Sequence, residues 1–150
     1  MIRVVNGDLL EADSPFICHQ VNCQGVMGSG VAKAIRDKYP EVYTQYKRFC
    51  SQYKGDLLGR VQYVPTDTGK IVVNLFAQEN FGYAGKCYTD YDALRKCLEE
   101  LRDNIATSTE IAFPYLMGCH RGGGDWNIVY AMLEDIFAAH NVVLYRKDMG

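Results

Sequence analysis

A short apolar run, residues 15–19, leads into a glycine-rich stretch that is followed at once by a helical pattern over residues 30–36. Gly25, Gly28 and Gly30 allow the backbone to turn sharply and to lie close to a ligand. A helix that begins at Gly30 directs free N–H groups and the positive end of its dipole back at the loop. Strand, loop and helix N-terminus together form a phosphate-binding arrangement. Because the glycine spacing matches neither the dinucleotide fingerprint nor the P-loop, a tight turn with structural glycines is the alternative interpretation.

A second glycine-rich stretch, residues 117–125, stands between an apolar run at 111–114 and a helical pattern over residues 126–139. Ligands of parallel sheets bind beyond the carboxyl ends of the strands, so two such loops can hold a diphosphate from both sides. Asp8, directly after the first predicted strand, can accept a hydrogen bond from a base amine. Tyr145, at the end of the last strand, can stack on that base. The sequence therefore predicts a slot for adenine, diphosphate and sugar.

Strand patterns and helix patterns alternate along the chain. The predicted strands cover residues 3–6, 15–20, 59–64, 70–76, 111–114 and 141–145. The predicted helices cover residues 30–39, a segment that begins at Pro40, a segment capped by Thr89 or Asp90, and residues 126–139. This alternation predicts an α/β fold with a mostly parallel sheet that helices cover on both faces. A length of 150 residues predicts one domain.

Charge and composition narrow the function classes. The net charge of −2 argues against a broad electrostatic grip on nucleic acid. The sequence starts without a signal-peptide pattern and has no apolar run near the roughly 20 residues that cross a bilayer, so we expect a cytoplasmic protein without a membrane partner. The six cysteines are expected to be free thiols, and their spacing fits no zinc pattern. We therefore expect no metal and no cofactor, and we expect a monomer.

Four short motifs follow one another along the chain, at residues 5–9, 19–32, 117–126 and 142–145. Together they resemble those of the macro domain, the ADP-ribose-binding module. The resemblance implies a three-layer α/β/α sandwich with a mixed, mostly parallel six-stranded sheet. In detail the motifs are most similar to the branch that contains ADP-ribose-1″-phosphate phosphatases, deacylases that remove ADP-ribose from glutamate, and antitoxins that strip ADP-ribose from DNA.

The resemblance also implies which residues bind the ligand. Asp8 would bind the adenine amine with the Leu9 backbone beside it, and Tyr145 would flank the adenine. Gln20, Val21 and Asn22 would line the path to the distal ribose. The first phosphate loop would comprise Met27, Gly28, Ser29, Gly30, Val31 and Ala32, and the second would comprise Met117, Gly118, Cys119, His120, Arg121, Gly122 and Gly123.

Three of these residues have an alternative, purely structural interpretation. Asp8 can cap a turn, Asn22 can hydrogen-bond the backbone of its own loop, and Tyr145 can belong to the core.

Catalysis is less well indicated than binding. Related hydrolases use an acidic residue where this sequence has Ala32, or a lysine near residues 76–78 with an aspartate near Gly122. This sequence has neither set, and the one lysine further along the loop is Lys86.

Phosphate-monoester hydrolysis remains open, because it needs donors around the phosphoryl oxygens and a group that positions water or protonates the leaving oxygen. The candidate catalytic residues are His19, Asn22, His120 and Asp125, with Arg121 as a two-pronged phosphate contact. Asp125 can instead cap a helix, and His19 can be a core residue.

Two function classes follow. The first is an enzyme that hydrolyses an ADP-ribose derivative, and the second is a reader that binds ADP-ribose without turnover. The expected partner is ADP-ribose or a derivative, free or carried by a protein or a nucleic acid. The long loop at residues 77–88 is a candidate lid, because Gly82 and Gly85 can act as hinges and Phe81 can cover a sugar; a solvated loop is the alternative.

Overall fold

The structure, a computed structural model, describes residues 1–82, 84–120 and 122–147. In this part of the chain the strands are β1 (Ile2–Asn6), β2 (Phe16–Asn22), β3 (Val61–Pro65), β4 (Ile71–Gln78), β5 (Glu110–Pro114) and β6 (Asn141–Arg146). The helices are α1 (Gly30–Lys38), α2 (Pro40–Gln52), α3 (Tyr91–Asn104) and α4 (Trp126–Ile136), and a 3-10 turn at Leu9–Glu11 follows β1.

The strands form one sheet in the order β1-β6-β5-β2-β4-β3. Every neighbouring pair is parallel except β3 and β4, which are antiparallel, so the prediction of a mixed, mostly parallel sheet is confirmed. The pairing of β2 with β5 stops early, at Ile17 and Ala112, although β2 continues to Asn22. The carboxyl-terminal half of β2 is therefore unpaired on the side that faces β5.

Helices cover both faces of this sheet, so the predicted α/β fold is confirmed. Helices α3 and α4 bury one apolar stripe each against one face, including Leu98, Leu101 and Leu133. Helix α2 buries Val42 and Tyr46 against the other face, together with Ile35 of α1. The helical spacing of these apolar residues directs them all to the sheet, which buries the apolar side chains of both helix layers.

Capping residues set the helix boundaries. Asp90 rather than Thr89 caps α3, with its carboxylate 2.9 Å from the Ala93 N–H. Helix α4 ends at Ile136 rather than at Ala139, because the chain tightens into a turn in which the His140 N–H bonds the Phe137 carbonyl at 3.0 Å. None of the helices in the described residues is both long enough and apolar enough to cross a membrane.

Candidate functional site

The loops that follow the parallel strands all lie at one edge of the sheet. The chain leaves β2 by helices on one face and enters β5 by a helix on the other, so the direction of the strand order reverses between these two neighbours. Ligands of open α/β sheets bind in the crevice at such a reversal. The pairing of β2 with β5 ends at Ile17 and Ala112, and the two predicted phosphate loops follow these two strands, so they flank the crevice expected at this reversal.

The first loop, residues 23–29, is held by the side chain that precedes it. Asn22 Nδ2 donates to the Val26 carbonyl at 2.8 Å, and Asn22 Oδ1 accepts from the Gln24 N–H at 2.9 Å. The Tyr46 hydroxyl of α2 lies 2.6 Å from the Asn22 carbonyl and 2.9 Å from Oδ1. Asn22 thus makes the hydrogen bonds within its own loop that were its alternative interpretation.

The N-terminus of α1 opens at the end of this loop. Gly30 has a φ of +60°, which favours glycine, and the Ser29 side chain makes no capping hydrogen bond. No acidic side chain lies in the first turn. The first N–H groups of the helix therefore have neither an intrahelical acceptor nor a side-chain cap, and they suit an anion. Of the neighbouring residues, Met27 is buried in the core, whereas Val31 is exposed.

The second loop, residues 115–125, is held by residues outside it. The Thr89 hydroxyl donates to the Gly118 carbonyl at 2.7 Å and accepts from Gln20 Nε2 at 2.9 Å. The Thr89 N–H and the Tyr88 N–H both bond the Gly122 carbonyl, at 3.0 and 2.6 Å. The start of α3 and the end of β2 therefore fix the loop together.

Close packing explains why this loop is rich in glycine. A Cβ on Gly122 would lie 2.6 Å from the Gly118 carbonyl oxygen and 2.6 Å from Thr89 Oγ1. A Cβ on Gly118 would lie 2.8 Å from Gln20 Oε1, and one on Gly123 would overlap the Lys86 carbonyl. A side chain at these positions would displace the loop from its supports.

Asp8 and Tyr145 lie at the same edge, at the ends of β1 and β6. Asp8 Oδ1 caps the 3-10 turn by accepting from the Leu10 N–H at 3.0 Å, and Oδ2 lies 3.9 Å from Lys147 Nζ. The carboxylate is 41% exposed, so the cap fixes its position and leaves Oδ2 open to a ligand. Tyr145 is half-buried against the cluster of Leu9, so its ring is only partly available.

His19 lies inside the sheet, away from the crevice. Its Nε2 is 2.5 Å from Asn74 Oδ1, Asn74 Nδ2 donates to Gln62 Oε1 at 2.9 Å, and Gln62 Nε2 donates to the Gln45 carbonyl of α2 at 3.0 Å. Burial lowers the pKa of His19 to about 4, against the smaller opposing effect of the Asn74 hydrogen bond. His19 is therefore a neutral member of a buried polar chain under α2.

The other catalytic candidates differ in whether hydrogen bonds within the fold already occupy their side chains. Asp125 caps α4 by accepting from the Asn127 N–H at 2.9 Å. His120 is exposed on the second loop, and Arg121 lies outside the described residues. Burial raises the pKa of the Cys119 thiol to about 11, so the thiol is protonated at neutral pH.

The structure thus places the two loops, Asp8 and Tyr145 at one edge of the sheet, with Gln20 beneath the second loop. Four of the predicted ligand-binding residues are buried in the core, so that only their backbones can meet a ligand: Leu9, Val21, Met27 and Met117. No group of three potential metal ligands occurs in the parts of the chain that the structure describes. No sequence pattern predicts that Thr89 and Tyr46 support the loops, because both act across long sequence separations.

The loop after β4 begins later than predicted, since β4 extends to Gln78. It borders the first loop: the Cys23 N–H and the Gln24 side chain both donate to the Glu79 carbonyl, at 3.2 and 3.0 Å. Phe81 is 49% exposed, and Tyr83 of the predicted lid is not among the residues described. The lid remains a prediction.

Comparisons with known proteins bear on this site. The family model of the Macro domain matches residues 18–133. The DNA ADP-ribosyl glycohydrolase of Mycobacterium tuberculosis is 35% identical over 144 residues, which cover 91% of this chain but only 39% of that protein's length. The ADP-ribose 1″-phosphate phosphatase of Scheffersomyces stipitis is 37% identical over 133 residues, covering 73% of this chain and 76% of that one. The solved macrodomain of Mycobacterium tuberculosis DarG superposes with a TM-score of 0.80 at 29% identity and covers 99% of both chains.

Proposed function

Since this chain belongs to the macro domain family, we propose that its crevice binds ADP-ribose and that the protein hydrolyses a derivative of it. One observation carries the binding proposal. The uncapped N-terminus of α1 and the second glycine loop border the same crevice between β2 and β5. The N–H groups at the start of α1 have no side-chain cap, which suits one phosphate of a pyrophosphate. Asp8 at the end of β1 would then face the adenine.

The binding proposal is tested with two matched glycine substitutions. Gly30 and Gly69 both have positive φ, +60° and +84°, and a Cβ on either would meet nothing within 4 Å. Gly69 lies in the β3–β4 turn, at the opposite edge of the sheet. We expect Gly30→Glu to abolish ADP-ribose binding in calorimetric titration, because it places a carboxylate at the anion site, and Gly69→Glu to leave the affinity unchanged. Unchanged binding by Gly30→Glu would reject this site.

Two relatives support hydrolysis, because one is a phosphatase of ADP-ribose 1″-phosphate and the other a DNA ADP-ribosyl glycohydrolase. The chain spans only part of the second, so its substrate is the less direct guide. Of the catalytic candidates that the structure describes, His120 alone is exposed at the loop without a structural task. We assign it as the proton donor to the leaving group.

A second candidate function, a reader without turnover, is favoured by one observation. Asn22, His19 and Asp125 are all engaged in hydrogen bonds that hold the fold. The two functions are separated by incubating the protein with ADP-ribose-1″-phosphate and with thymidine-linked ADP-ribose. Release of phosphate or of ADP-ribose that His120→Ala abolishes, without loss of ADP-ribose affinity, supports the enzyme. Binding of ADP-ribose without release from either compound supports the reader.

A further inference from the structure

Charge is distributed very unevenly between the two helix layers. Residues 30–54, which contain α1 and α2, hold six Lys and Arg against two Asp and Glu. Residues 90–104 and 125–136, which contain α3 and α4, hold eight Asp and Glu against three Lys and Arg. The small net charge of −2 of the whole chain therefore conceals a positive layer and a negative layer on opposite faces of the sheet.

Several cations of the positive layer lack a carboxylate partner. Lys33 pairs with Asp37 and Lys38 with Glu11. Within the described residues, no carboxylate lies within 4.0 Å of the remaining four cations of this layer, which we call the basic face: Arg36, Lys47, Arg48 and Lys54. All four are exposed.

Two of these cations share one aromatic ring. The Arg36 guanidinium lies 4.4 Å and the Lys47 ammonium 5.4 Å from the centroid of Tyr43. The ring attracts both cations and so holds two like charges near each other on the surface. A fixed pair of cations can contact successive phosphates of a polyanion with little further loss of side-chain freedom.

The basic face borders the crevice. Helix α1 runs away from the crevice and α2 returns to it, so Lys47 and Arg48 lie on the returning half of α2, and Lys54 follows just after its end. Lys54 lines a concavity with Gln24 of the first loop and with Glu79, the one carboxylate in that lining. The one acid of α2, Glu41, lies in its first turn, at the far end of the helix.

We propose that the basic face binds the sugar–phosphate backbone of a nucleic acid. A strand that approaches the crevice is attracted by this layer and repelled by the acidic layer of α3 and α4, so the charge distribution also fixes which way the strand leaves. The charge argument stands without ADP-ribose. The further step, that this strand carries the ADP-ribose held in the crevice, rests on the proposed function.

The experiment compares two triple variants in which the same number of charges is removed. Arg36→Gln/Lys47→Gln/Arg48→Gln removes three of the four cations of the basic face, and Arg95→Gln/Lys96→Gln/Arg102→Gln removes three cations of α3. Binding of labelled single-stranded DNA and RNA without ADP-ribose is measured by anisotropy over a salt series, with thermal unfolding as the control for folding. We expect the first triple variant to bind at least about tenfold more weakly at low salt. Its log–log salt slope should fall by about 2, at about 0.7 per lost phosphate contact. The second triple variant should bind like the wild type.

Three results would overturn the proposal: no binding of DNA or RNA by the wild type, equal weakening in both triple variants, or competition by polyglutamate as effective as by DNA, which would indicate an acidic protein. ADP-ribose titration of the same variants separates the two proposals. If the wild type binds nucleic acid but not ADP-ribose, the proposal for the basic face is supported and the proposed function is rejected. If it binds ADP-ribose but not nucleic acid, the proposed function is supported and the proposal for the basic face is rejected.

Discussion

The two glycine loops of the crevice are supported in different ways. The first is held mainly from within, by the side chain of Asn22, which bonds residues two and four positions later and is itself contacted by the Tyr46 hydroxyl. The second is held from outside, by Thr89, which reaches the Gly118 carbonyl from 29 residues away, and by Gln20 through Thr89. A loop of the first kind can be recognised in a short stretch of sequence. A loop of the second kind exists only once the sheet has formed.

The two faces of β2 differ as well, in the polar networks that they carry. His19 belongs to a polar chain that runs under α2, whereas Gln20, the next residue, points to the opposite face and bonds Gln78 and Thr89. The first network contains an ionisable group and the second contains none. The two networks should therefore respond differently to pH, which gives the largest of the expected effects.

We expect acid to weaken the His19 network selectively. The folded pKa of about 4 lies below the ordinary 6.5, so between these values the unfolded chain binds a proton that the folded protein excludes. His19 thus contributes stability that is fully present above pH 6.5 and is lost as the pH falls towards 4, in total about 3 kcal/mol. The free energy of unfolding is measured with urea at several pH values. Between pH 6.5 and 4 it should fall more for the wild type than for His19→Gln, and the difference should approach this amount. Gln20→Ala, which breaks the other network, should lower stability equally at all pH values, and parallel pH profiles for wild type and His19→Gln would contradict the assignment.

A second prediction compares the space available in the two loops. Gly122 and Gly28 both have φ values that any residue tolerates, but a Cβ on Gly122 meets two oxygens at 2.6 Å, and one on Gly28 only Val26 Cγ1 at 3.7 Å. Gly122→Ala should therefore lower the free energy of unfolding by about 2 kcal/mol. Gly28→Ala should leave it unchanged or raise it slightly, because alanine restricts the unfolded chain. Thermal unfolding of the two variants measures this, and equal shifts would show that the second loop can relax around a side chain.

The contrast between the loops also explains what could be predicted from the sequence. Strand β2, the glycines of the first loop and the start of α1 follow one another in one short stretch of sequence. The local pattern, with the alternation of strands and helices along the chain, is therefore enough to predict that they lie at the carboxyl edge of the sheet. The structural roles of Asn22, which bonds its own loop, and of Asp125, which caps α4, are likewise local, so the sequence predicts both as alternatives to catalysis. Thr89 was considered only as a helix cap, a task that Asp90 performs. Nothing near Thr89 in sequence indicates that its hydroxyl meets Gly118.

Charge gives a second example of what sequence patterns leave out. The cations of the basic face come from two helices and are separated in sequence by acidic and apolar residues, so no basic run is visible. Their common surface arises because α1 and α2 pack side by side on one face of the sheet. Net charge describes the whole chain, whereas a partner meets one face of it.

The smallest expected effect concerns Thr89, where two substitutions distinguish the contribution of the hydroxyl group from that of the side-chain volume. Thr89→Val keeps the volume but removes both side-chain hydrogen bonds. Among the residues that the structure describes, the Gly118 carbonyl then retains the Gly124 N–H, 2.9 Å away, as its one donor. We expect a loss of about 1 kcal/mol in stability, together with weaker ADP-ribose binding, because the second loop loses its external support. Thr89→Ser, which keeps the hydroxyl, should restore the affinity even where removal of the methyl group lowers the melting temperature.

The matched change at the first loop, Tyr46→Phe, removes the hydroxyl that contacts Asn22 and should lower the stability by a similar amount. Because the loops are held independently, the losses of Thr89→Val and Tyr46→Phe should add in the double variant, and a clear departure from additivity in urea unfolding would show that the two supports are coupled through the crevice.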